Sequence, residues 1–245
     1  MKHLYSMTDR IGSRATLGLI VLQSDETLEQ EFRQVFTAKD VAIYTSRVPN
    51  AATVTTDTLG AMADEIPAAT RLLPPSLDYS AIAYCCTSGA TVIGPARVAD
   101  LVSEAAKTQN VTNPISAVMA GLNAVGARRV GMLTPYIASV TGPMRDLLIA
   151  HGFQIPTCVS FEEDQDPKVA RIDGKSIIDA AVAAGSGDVD AVFLSCTNLR
   201  TFDVIEEIEA RLDKPVISSN QALAWHMARL AGTTPDVSIG RLMAG

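Results

Sequence analysis

Short apolar runs punctuate the chain, each closed by Gly, Pro or polar residues. The clearest are TLGLIVLQ (16–23), AIAYC (81–85), RVGMLTP (129–135) and DAVFLSC (190–196). Lesser ones are DVAIYTSRV (40–48), ISAVM (115–119), FQIPTCVSF (153–161) and PVISSN (215–220). All are rich in β-branched residues or Leu and of strand length, which predicts strands buried on both faces. Between them, apolar residues recur every three or four positions. DETLEQEFRQVF, ARVADLVSEAAKTQ and TFDVIEEIEARLD are predicted helices, and PMRDLLIAHG is another, closed by Gly152. Strands alternating with helices imply βαβ units and a mostly parallel sheet.

The pattern also repeats itself. GLIVLQS at Gly18 and GMLTPYI at Gly131 are similar strand edges; AYCCTSG and LSCTNLR place Cys86 and Cys196 at matching edges, and NPISA (113–117) is echoed by KPVISS (214–219). The order is the same and the offset nearly constant. This predicts an α/β protein of two similar lobes, each a mostly parallel sheet flanked by helices, related by a pseudo-two-fold with an active-site cleft between them. The expected organisation is a flexible leader over 1–15, a first lobe over 16–120 and a second over 121–245, with a final helix or strand free to cross over.

Composition narrows the function. Hydrophobic residues make up 47% of 245, ample for a core, and aromatics only 5%. A net charge of −7 without a Lys/Arg cluster argues against nucleic acid. No apolar run reaches the roughly 20 residues that span a bilayer. A polar N-terminus and four cysteines suggest cytoplasmic thiols rather than disulfides. The expected partners are a small-molecule carboxylate and further copies of the chain.

Cys86 and Cys196 carry the candidate chemistry. Ligands bind beyond the carboxyl ends of parallel strands, and both cysteines are predicted at a strand-to-helix edge. There the amides of Thr87, Ser88, Gly89, Thr197 and Asn198 suit an anion, and the same field is expected to lower a thiol pKa. Cys85, facing the other way along its strand, and Cys158 are expected in the core. His3 lies in the leader, and His151 and His226 in helices. No CxxC or HxxxH spacing suggests a metal, and no GxGxxG or P-loop suggests a nucleotide cofactor. That leaves the thiols: one removing and one returning a proton across a carbon, or one adding to a double bond that the other protonates. Either is an isomerisation without cofactor or metal.

CTSG at Cys86 and SCTNLRT at Ser195–Thr201 closely resemble the maleate isomerase pattern. The chain resembles the aspartate/glutamate racemase superfamily, in its branch of maleate cis–trans isomerases and arylmalonate decarboxylases, from about Gly18 to about Gly232. The resemblance implies a two-lobed fold with one cysteine per lobe. Through TPYI it makes Tyr136 a donor to a substrate carboxylate, alongside Thr87, Ser88, Thr197 and Asn198. Arylmalonate decarboxylases keep only the second cysteine, so Cys86 speaks against simple decarboxylation. Two positions depart from the maleate isomerases: Asp25 in QSDETLE and Asp166 in EEDQDPKVARI stand where carboxylate-binding Asn residues are found. Carboxylates there repel a dicarboxylate and welcome a cation, a pattern resembling the ectoine-utilisation racemase-like subgroup. The alternative role for Asp25 is to cap the helix predicted over 26–36. The expectation is a racemase or epimerase of a small amino-bearing carboxylate, with a maleate-type cis–trans isomerase and a non-catalytic binding protein as alternatives.

Overall fold

The structure, a computed structural model, describes residues 3–245. Eight strands form two parallel four-stranded sheets. The first contains β1 (Ala15–Leu22), β2 (Val41–Val48), β3 (Ala81–Cys85) and β4 (Val111–Thr112), in the order β2-β1-β3-β4. The second contains β5 (Arg129–Tyr136), β6 (Gln154–Glu163), β7 (Ala191–Leu194) and β8 (Val216–Ser218), in the order β6-β5-β7-β8. The helices are α1 (Leu28–Val35), α2 (Thr56–Ala61), α3 (Ile66–Arg71), α4 (Thr87–Ile93), α5 (Pro95–Ser103) and α6 (Pro114–Ala124) in the first half. The second half adds α7 (Ala138–Ala150), α8 (Asp166–Val169), α9 (Gly174–Gly185), α10 (Ile205–Leu212), α11 (Ser219–Leu230) and α12 (Gly240–Ala244).

The two sheets are equivalent strand by strand. Gly18 pairs with Ile82 as Gly131 pairs with Val192, so Cys86 and Cys196 occupy the same place just beyond the third strand of each sheet. The NPISA–KPVISS echo is displaced: Ile82 faces Val111 and Val192 faces Val216, which matches Asn113 with Ser218. Both cap the helix that follows, Asn113 by accepting from Ser116 N–H and Ser218 from Gln221 N–H. ISAVM is therefore part of α6 and not a strand. Its β-branched residues suggested extension, but Asn113 as cap and Pro114 in the first turn start a helix there.

The helix that follows the last strand of each half crosses to the other. α6 packs on α11 and β8, while α11 packs on α1, β3 and β4. A boundary between residues 120 and 121 thus falls inside a helix. The leader is shorter than expected, because β1 begins at Ala15 and Arg14 pairs with Asp40 and Asp236. Cys158, expected in the core, is exposed: β6 is an edge strand, and none of its ten residues is fully buried.

Gly131 lets α9 rest directly on β5, since a Cβ there would sit 2.2 Å from the Ala184 carbonyl oxygen. Gly131→Ala is expected to destabilise the fold by roughly 1–3 kcal/mol in urea unfolding. Gly60→Ala, whose Cβ would meet only Val92 at 3.8 Å, should be neutral or stabilising. Equal stabilities would contradict this close packing.

Candidate active site

Cys86 leaves β3 in extended conformation and caps α4, its sulfur accepting from Gly89 N–H at 3.2 Å. Gly89 has no room for a side chain: a Cβ would sit 2.6 Å from the Tyr84 hydroxyl and 3.0 Å from the Cys86 sulfur. The glycine of CTSG therefore holds the thiol against the helix start.

Cys196 differs from Cys86 and from its sequence expectation. No helix follows it until Ile205, and its own φ is +101°, a conformation that costs a non-glycine residue of order 1–3 kcal/mol. Neighbours impose it. Ser195 N–H donates to the Leu133 carbonyl, Cys196 N–H to the Ser219 hydroxyl, and Thr197 Oγ1 to the Cys85 carbonyl. The N–H groups of Thr201 and Phe202 go to the Glu31 carboxylate instead of into a helix. The sulfur accepts from Asn198 N–H at 3.3 Å and lies 3.0 Å from the Tyr136 hydroxyl.

Both thiols are buried, and the expected lowering of their pKa is not found. Burial raises Cys86 to about 12, against the helix N–H of Gly89. Cys196 is raised well above its ordinary value by burial first and by the charge of Asp166 next. Desolvation outweighs the field of one helix turn.

The two aspartates are buried at the same seam, and they differ. Both oxygens of Asp166 are engaged: Tyr136 donates to Oδ1 at 3.0 Å, while Ser24 and the Asn198 amide donate to Oδ2 at 2.5 and 3.2 Å. Asp25 Oδ1 accepts from Thr27 and Leu28 N–H, both at 2.8 Å, capping the start of α1. Asp25 Oδ2 is buried without a partner. Burial raises Asp25 to about 6 despite its two N–H donors and the nearby Thr197 hydroxyl, whose hydrogen bond goes to Cys85. Among the described residues no Lys or Arg pairs with either carboxylate.

Cys86, Ser88, Tyr136 and Asp166 line a narrow, nearly filled cavity of about 10 Å³, walled by Leu22, Val54, Leu59 and Met62. A strap from the first half closes over it: Thr53 bridges to Gln165, and Val54 N–H donates to the Asp164 carbonyl. Thr87 turns its hydroxyl to Ser219 and does not line this cavity. Asn198 ties the halves together, accepting from Glu26 N–H while donating to Asp166. A larger open groove near Arg71, Tyr79 and Lys107 shares none of these residues.

Several residues at this seam had no motif to announce them. Ser24 and Asn50 support Asp166, Ser219 joins Thr87 to the Cys196 backbone, and Glu31 and Asn220 lock α1 to the second half. Glu31 did leave a sequence signal, since it falls on the apolar face of α1 with Leu28, Phe32 and Val35.

Two parallel sheets with a thiol at each equivalent strand end define a two-lobed α/β protein with a cysteine pair in its seam. The chain belongs to the arylmalonate decarboxylase (Amdase) family, whose model matches residues 17–243. It is 37% identical over 123 residues to arylmalonate decarboxylase of Bordetella bronchiseptica, a match spanning 49% of this chain and 51% of that one. With maleate isomerase of Nocardia farcinica it shares 30% over 156 residues, 60% of this chain and 62% of the other. In structure it matches a Nocardia farcinica maleate cis–trans isomerase mutant carrying a covalently bound succinylcysteine intermediate. The TM-score is 0.85 at 24% identity, over 94% of this chain and 98% of that one. These relatives are enzymes, and the family resemblance expected from CTSG and SCTNLRT stands.

Glu31 is raised to about 7, chiefly by burial and against donors from Phe202, Asn220 and Thr201. A carboxyl raised on folding stabilises below its unfolded value and loses that contribution as pH climbs to the folded one. Relative to Glu31→Gln, the unfolding free energy should therefore fall by up to about 1.4 kcal/mol per pH unit between pH 4.5 and about 7, then level. Denaturant titrations at several pH values read this directly. A pH-independent difference would show that Glu31 is ionised throughout.

Proposed function

We propose that this protein is a cofactor-independent isomerase that inverts a stereocentre in a small substrate bearing a carboxylate and a cationic nitrogen. The observation that carries the reading is the buried Oδ2 of Asp25, without a hydrogen-bond partner and, among the described residues, without a salt-bridged Lys or Arg, whose charge is felt by both thiols. An ammonium or amidinium group supplies the missing partner; a second substrate carboxylate there meets repulsion instead. Both oxygens of Asp166 already have donors, which leaves cation binding mainly to Asp25. Ser88 and the first N–H groups of α4 hold the substrate carboxylate. Cys86 and Cys196, from opposite lobes, act as the acid–base pair, one taking the proton and the other returning it from the far side. Diamino acids and derivatives of the cyclic osmolyte ectoine have this charge pattern.

A second reading, cis–trans isomerisation of maleate by a cysteine nucleophile, is supported by the relatives bearing that name. Incubation of chiral diamino acids and ectoine derivatives in deuterium oxide, followed by proton NMR, separates the two. Deuterium at the stereocentre is expected, and Cys86→Ala or Cys196→Ala should each lower turnover by at least about 100-fold. Turnover of maleate with a succinyl adduct on a cysteine would put the second reading first. Asp25→Asn is expected to weaken the amino-bearing substrate by about ten- to a hundred-fold, the worth of a charge-assisted hydrogen bond. Unchanged affinity would reduce Asp25 to a helix cap.

A further inference from the structure

Cys196, Tyr136 and Asp166 form a continuous chain of contacts, 3.0 Å from sulfur to phenol oxygen and 3.0 Å from phenol oxygen to Asp166 Oδ1. Its polarity follows from valence. An ionised carboxylate only accepts, so the single phenol proton points to Asp166, and the thiol must donate to the phenol oxygen. Ser24 and Asn198 hold the far oxygen of Asp166, which fixes the carboxylate in place. Among the described residues the other polar contact of the sulfur, Asn198 N–H, is a donor, so the phenol is its proton acceptor.

We propose that Tyr136 is a proton relay through which Asp166 deprotonates Cys196. The thiol proton passes to the phenol oxygen as the phenol proton passes to Asp166 Oδ1. The S–H and phenol O–H bonds break and two O–H bonds form, leaving a thiolate, a neutral tyrosine and a neutral carboxylic acid. No proton leaves the protein and the net charge is unchanged. Afterwards the phenol O–H and Asn198 N–H both point at the sulfur and stabilise its charge. This gives the reactive thiolate a source other than bulk solvent, from which burial separates it. The inference rests on the reading of Cys196 as an acid–base residue, and it assigns Asp166 to the thiol and not to the substrate.

A relay has a signature that proximity lacks. Thiolate with carboxylic acid and thiol with carboxylate carry the same number of protons, so their ratio does not depend on pH. Alkylation of Cys196 by iodoacetamide, followed by peptide mass spectrometry on the full chain without substrate, is therefore expected to be flat from about pH 6 to about pH 8. In Tyr136→Phe and Asp166→Asn the rate should instead climb about tenfold per pH unit and fall below wild type at neutral pH. The sign in Asp166→Asn is decisive. If the carboxylate acted on Cys196 only through its charge, removing it would favour the thiolate and speed alkylation. Cys86, which feels the same charge without the relay, should speed up in that variant and reports in the same digest that the seam is intact. A wild-type rate that climbs like the variants, or faster Cys196 alkylation in Asp166→Asn, overturns the relay. Because no turnover is involved, a failed relay leaves the isomerase reading standing, and a flat profile in a protein without isomerase activity leaves the relay standing alone.

Discussion

Glu31 projects from a first-half helix into the second half, where the N–H groups of Thr201 and Phe202 and the Asn220 amide surround it. Asp166 does the converse from the second half, taking the Ser24 hydroxyl of the first. Each sheet thus sends a buried carboxylate into the other, and both are met by neutral donors. Burying an ionised carboxylate costs several kcal/mol unless its lone pairs are filled, so these contacts dictate how the halves dock. The strained Cys196 backbone, its loop in place of a helix, and the register of Tyr136 against Asp166 all depend on that docking.

The same constraint makes the seam chemically unusual. Among the described residues no basic side chain lines the cavity, and the charge of Asp166 adds to burial in raising the proton affinity of both thiols. The relatives are named for arylmalonate and maleate, whereas the proposed substrate sets a cationic group against the unpartnered oxygen of Asp25.

Much of the scaffold could be read before the structure. Apolar runs such as TLGLIVLQ and RVGMLTP carry the buried central strands, and the paired cysteine edges mark equivalent strand ends, because burial on both faces writes itself into composition. What escaped reading was decided across the seam. ISAVM looked extended until Asn113 capped it; Cys196 looked like a helix start until Glu31, from the other half, took the amides such a helix would use. The thiol pKa values went the wrong way because helix-terminal charge is local and legible, whereas desolvation is a property of the assembled cavity. Cys158 was misplaced for a related reason, since nothing in its own strand says which strand stands at the edge.

The central claim is that the charge of Asp25 selects the substrate. It is tested most directly by calorimetric binding of two molecules of similar length, 2,4-diaminobutyrate and succinate, across the ionisation of Asp25 near pH 6. Affinity for the diamino acid is expected to strengthen as pH rises through that value while affinity for the dicarboxylate weakens. Succinate binding that tightens or holds steady over the same range, with the diamino acid indifferent to pH, would contradict the account.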